Sequence, residues 1–164
     1  MDRIAIESLL AGLTRFPRDP ALESYMGEIE WLHGERTAEL LRPAMMRAPL
    51  FRGLVATTPD GSAYLVSMQG SAYHYSSPKA DLASLTEYQA VEVALLEDGL
   101  HFRPLSRLGF GLADPDDDDD VWGYMPVGRL IDELTRFCER GGSLEPELGY
   151  RRGVPASHPL TDPT

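Results

Sequence analysis

Three observations predict an α+β fold. The first third of the chain spaces its apolar residues at helical intervals, the middle third alternates with period two, and the run from residue 126 is strongly one-sided. In the first third, Ile6, Leu9, Leu10, Leu13 and Phe16 share one helical face, and Pro17 stops the run. Asp19 then has the character of an N-cap, with Pro20 at the first helical position, where its missing N–H costs nothing. Leu22, Tyr25, Met26, Ile29 and Leu32 form the next stripe, ending near His33-Gly34. A shorter helical piece, Glu35 to Leu41, closes at Pro43, and Leu40, Leu41, Met45 and Met46 fit equally well in a packed, irregular connection.

The middle reads as about five antiparallel strands. "FRGLVATT" (Phe51–Thr58) and "SAYLVSMQ" (Ser62–Gln69) flank a turn at Asp60-Gly61. In "YQAVEVALL" (Tyr88–Leu96), Val91, Val93 and Leu95 face one way and Glu92 the other; "EDG" then turns the chain into "LHFRPL". "VWGYM" (Val121–Met125) is the last strand expected. From Pro126, a helix places Val127, Leu130, Ile131, Leu134, Phe137 and Cys138 on one face and ends at Gly141-Gly142. Such a stripe must be covered, and the sheet is the surface available. The expected organisation is one domain over 1–142, with a helical part (1–47), a sheet (48–125) and a closing helix (126–142). A flexible tail, 143–164, carries Pro146, Pro155, Pro159 and Pro163.

A length of 164 residues, 43% of them hydrophobic, suits one globular domain with a real core. The net charge of −11 argues against direct nucleic-acid binding, which needs a basic face, and favours a basic protein partner. Cys138 is the lone cysteine, which excludes an intramolecular disulfide and a cysteine-based zinc site. The opening residues lack the pattern of a signal peptide and no apolar run approaches the ~20 residues of a membrane span, so a cytoplasmic location is expected.

Two stretches concentrate polar chemistry. "DPDDDDD" holds Asp114, Asp116, Asp117, Asp118, Asp119 and Asp120, six of the chain's negative charges. An EF-hand loop requires glycine at its sixth position and glutamate at its twelfth. Counted from Asp114 these are Asp119 and Met125, and counted from Asp116 they are Val121 and Val127, so no such loop is expected. The block reads as a solvated loop or as a contact surface for a basic groove, where a positive partner would relieve the repulsion among adjacent carboxylates. The second stretch, "SMQGSAYHYSSPK", gathers Gln69, Tyr73, His74, Tyr75, Ser76, Ser77 and Lys79 just after a strand. Rings, hydroxyls, an amide and a lysine could hold a nucleotide or another small anion, with Glu92 in reach of His74; equally, the tyrosines could pack on the sheet while the serines cap a turn. No nucleophile elbow, phosphate-binding glycine loop or metal-binding helix motif is present, and neither catalysis nor a cofactor or metal is expected.

"YHYSSPK…YQAVEVALL" followed by "VWGYMPVGRLIDELTRFCERGG" resembles a loose group of small phage- and prophage-encoded accessory proteins, over roughly Gln69 to Gly142. The resemblance implies a protein of a mobile element acting against a host system. The expected function is therefore a non-catalytic acidic binder that blocks a basic, nucleic-acid-handling host protein or nucleoprotein complex, as anti-CRISPR and anti-restriction proteins do. Capture of a nucleotide signal by the Tyr73–Lys79 loop is the alternative, and an immunity protein that neutralises a toxin is a third.

Overall fold

The computed structural model describes residues 1–17, 20–39, 49–99, 101–111 and 121–147. The chain divides into two compact units, Arg15–Leu50 and the remainder.

The larger unit is an antiparallel sheet with helices on one face, the α+β architecture expected. Its strands are β1 (Leu54–Thr57), β2 (Ala63–Gln69), β3 (Ala90–Glu97), β4 (His101–Arg103), β5 (Val121–Pro126) and β6 (Ser143–Pro146). The order is β4-β3-β2-β1-β6, and β5 also pairs with β3. One edge of β3 is taken by β2 from Glu92 to Leu96, and Ala90 bridges to Ser77. The opposite edge is shared, with β4 on Leu95, Leu96 and Glu97 and β5 on the stretch from Ala90 to Ala94. Strand β3 is thus flanked on both edges, which explains why Ala, Val and Leu dominate it.

Alternation sorts the sheet residues. Leu54, Ala56, Val66, Met68, Val91, Val93, Leu95, Met125 and Leu144 enter the main core. Helix α3 (Val127–Glu139) covers them with Val127, Leu130, Ile131, Leu134 and Phe137. Helix α1 (Arg3–Ala11) adds Ile6 and Leu10; it is N-capped by Asp2, which accepts from the Ala5 amide at 2.8 Å. An Arg3–Asp132 ion pair joins α1 to α3. Burying each large side chain stabilises the fold by roughly 1.5–3 kcal/mol, so this layer holds the unit together.

Local chemistry sets the turns. Between β1 and β2, the Asp60 carboxylate accepts from the Thr58 hydroxyl and from the Ser62 amide; these bonds, that to Thr58 foremost, hold its pKa below the usual carboxylate value. Between β3 and β4, Asp98 and Gly99 have φ of 53° and 67°, the left-handed pair of a tight hairpin turn. After α3, Gly141 (φ 91°) turns the chain, and a Cβ on Gly142 would come within 2.3 Å of the Phe137 ring. The glycine pair therefore both ends the helix and lets β6 pass under it.

Two boundaries differ from expectation. Residues 143–146, assigned to the tail, form edge strand β6, with Leu144 opposite Ala56. A strand with one buried apolar residue in four offers little periodicity to read. The N-terminal helical part is also not one block, since α1 belongs with the sheet whereas Arg15–Leu50 forms its own unit. The first helix ends at Ala11, capped by Gly12, so Phe16 lies beyond it.

In the smaller unit, helix α2 (Pro20–His33) begins on the proline expected, and Gly34 (φ 85°) breaks it from a helical stretch at 35–39. The Phe16 amide donates to the Leu50 carbonyl at 2.8 Å, and Arg15 donates to the Pro49 carbonyl at 2.9 Å, closing the unit's ends on each other. The expected N-cap Asp19 and the Leu40–Met46 connection lie outside the described residues.

Candidate functional site

The loop after β2 separates its residues into an inward, polar set and an outward, aromatic set. Gln69 is buried, and its side chain completes the ladder beyond β1: Oε1 accepts from the Phe51 amide at 2.8 Å while Nε2 donates to the Phe51 carbonyl at 3.0 Å. Ser76, fully buried, donates to the Ser71 carbonyl and accepts from the Ser71 amide, pinning the loop onto its own start. Ser77 pairs with β3 through Ala90. The Tyr88 hydroxyl donates to the Ala80 carbonyl at 2.6 Å and accepts from the Leu82 amide at 2.9 Å, and its ring lies against Gly70.

Ser71 ties His74 to the loop. Its Oγ accepts from the Tyr73 and His74 amides and lies 2.8 Å from Nδ1 of His74. Ser71 itself is 1% exposed and committed to this turn, so the pair organises the loop; a nucleophilic role would require the hydroxyl to be reachable.

The rings point outward. Tyr75 and Tyr124 are 58% and 46% exposed, and Tyr73 is also exposed. A bulge in β5 brings Tyr124 to Tyr75. Three residues of β3, from Val91 to Val93, face four of β5, from Met125 back to Trp122. Within the bulge Tyr124 has φ of 55°, and its amide donates to the Tyr75 carbonyl at 2.8 Å. Gly123 makes this possible, because a Cβ there would stand 3.0 Å from the Cβ of Tyr75. The two rings meet edge to face at 5.9 Å and 62°. Lys79 places its ammonium 5.7 Å from the Tyr75 ring centre and 5.9 Å from that of Tyr124. The Glu92 carboxylate accepts from the Tyr75 amide at 3.2 Å. On β5, the half-buried Trp122 carries the Arg129 guanidinium over its ring at 4.6 Å, and Arg129 donates to the Gly111 carbonyl.

Of the residues singled out in the sequence, the structure therefore brings Tyr75 and Lys79 together on the surface, with the Glu92 carboxylate at the Tyr75 amide. It turns Gln69, Ser76 and Ser77 to structural work, and leaves His74 half-buried. Asp114 and Asp116–Asp120 lie outside the described residues; the block joins the sheet at Val121, one residue before Trp122. Sequence reasoning missed Tyr124, Trp122 and Arg129. The signal was there in "VWGYM", where a glycine between aromatics inside a strand marks a bulge.

Among the described residues, no three His, Cys, Asp or Glu side chains converge as a metal site would require, and no helix is long and apolar enough to cross a membrane. Cys138 is half-buried, and burial raises its thiol pKa above the usual value. A raised pKa means less thiolate at neutral pH, so maleimide should label Cys138 more slowly than a free small-molecule thiol, the gap narrowing as pH rises. Equal rates at neutral pH would show that the thiol is activated.

No protein-family model, curated protein or solved structure matches this chain.

Proposed function

We propose that this chain is a non-catalytic binding protein that recognises a basic protein through the Tyr75–Tyr124–Lys79 platform and the Asp114–Asp120 acid block. One observation carries the reading: the buried Ser71 and Ser76 hydroxyls bond the loop's own backbone, while two tyrosines from separate elements are held exposed in one geometry. Exposed aromatics fixed by a rigid scaffold are the usual anchors of a protein interface. The backbone at Tyr124 adopts a conformation unfavourable for a bulky residue, which folding alone would not favour. A charge of −11 complements a basic partner and speeds its approach. With the resemblance to mobile-element accessory proteins, the target class we favour is a nucleic-acid-handling protein of a host defence system, its groove blocked by this chain.

The test uses a basic target captured with the wild-type chain. Replacing Asp116–Asp120 with Asn and Ser should leave the melting temperature unchanged and slow association at low salt, with the two proteins converging at high salt. An unchanged on-rate at low salt would remove the block from the interface. Replacing Tyr75 with Ala should instead speed dissociation, and an unchanged off-rate would remove the platform. Nucleotide capture is the competing reading, because two rings and an ammonium could stack a base and meet a phosphate. It requires a thermal shift with some linear or cyclic nucleotide that is lost in a His74→Ala/Lys79→Ala variant.

A further inference from the structure

The geometry points to the Tyr75–Tyr124 pair being a receptor for a cationic side chain of the partner, with Lys79 as the internal occupant that must give way. This deepens the basic-partner reading and rests on it for the identity of the ligand, a lysine or arginine side chain.

Several features of the site agree. Two tyrosine faces set 62° apart do not stack as a flat shelf; they form a corner. The negative faces of both rings bear on one point, and that point holds the Lys79 ammonium, within 6 Å of both centres. A corner formed by residues 75 and 124 depends on the β5 bulge, on Gly123 and on the Tyr124–Tyr75 backbone hydrogen bond, so it is present before any ligand arrives. The Glu92 carboxylate, which accepts from the Tyr75 amide, adds a negative charge at the backbone of the corner. Both rings are about half exposed and Lys79 is exposed, so the ammonium can swing out into water and be replaced from outside. An exposed cation–π contact is weak enough for such an exchange. The partner's cation would then take the place of Lys79, and the contact would fix register as well as slow dissociation.

The internal occupant makes a specific prediction. Removing it should improve binding of a foreign cation, since a site filled part of the time has its apparent affinity reduced by the unfilled fraction. Tetramethylammonium is a suitable probe because it has no N–H and binds only as a cation against a ring face. Titrations followed by the ring resonances of Tyr75 and Tyr124, at constant ionic strength, should saturate in Lys79→Ala with a Kd about threefold below that of the wild type. The gain should vanish in Lys79→Ala/Tyr75→Leu and in Lys79→Ala/Tyr124→Asn, asparagine being tolerant of the positive φ at that position. Neutral tert-butanol, of similar shape, should bind none of them.

Equal affinity in wild type and Lys79→Ala, binding that survives loss of either ring, or equal binding of tert-butanol would each overturn the proposal. The probe reports on the corner without any partner. Its failure would therefore leave the basic-partner reading to the association experiment, and failure of that experiment would leave a cation site with a different owner.

Discussion

Leu134→Ala should lower stability by ~2–5 kcal/mol. Leu134 is fully buried at the middle of the α3 stripe, and its side chain sits in the core that α3 shares with the sheet and α1. Removing three carbons there forfeits both their transfer from water and the packing of the walls around the cavity left behind. A domain of this size should lose at least ~5 °C in melting temperature. Leu134→Met, which keeps the volume, should cost under ~1.5 kcal/mol. A Leu134→Ala protein melting with the parent would mean that the stripe faces something other than the sheet.

Gln69→Ala should also be damaging, at ~2–4 kcal/mol, although glutamine is not a core residue by composition. Its amide acts as a short piece of backbone, receiving the Phe51 N–H and donating to the Phe51 carbonyl, with a further bond to the Ser67 hydroxyl. Alanine removes all of these bonds at a buried place. The measurement also separates two roles for the residue, because a ligand-binding glutamine would lose affinity and keep its melting temperature. Denaturant unfolding of Gln69→Ala at parental stability would contradict the structural assignment.

These two residues mark how far the sequence could be read. The α3 stripe, the hairpin turns at Asp60-Gly61 and Asp98-Gly99, and the alternation of β3 are local patterns, and each was legible because its cause lies within a few residues. Gln69 reads in the sequence as a candidate ligand group, and the structure bonds its amide to the Phe51 backbone. Its partner is 18 positions away, and nothing local says whether an amide turns toward solvent or toward a neighbouring strand. Strand β6 escaped because Leu144 alone carries its pattern and the partner strand β1 begins at Leu54. The platform was half legible. Tyr75 and Lys79 lie in one conspicuous loop, whereas Tyr124 reaches them through a bulge whose register depends on β3. Glu133, buried on α3 beside Gly111 and paired with Arg136 at 3.1 Å, was unread for the same reason: the loop over it comes from another part of the chain.

The shared edge of β3 has one more consequence. With β4 and β5 placed end to end along one side of that strand, the sheet finishes there in two short pieces, one of three residues and one of six broken by a bulge. At the other margin stands β6, four residues long and ending in a proline. Cross-β growth needs a straight run of about six or seven residues with free backbone groups to template the next chain. None of these margins offers one, so among the described residues the sheet is self-limiting: crowded copies meet no long straight edge there on which to polymerise.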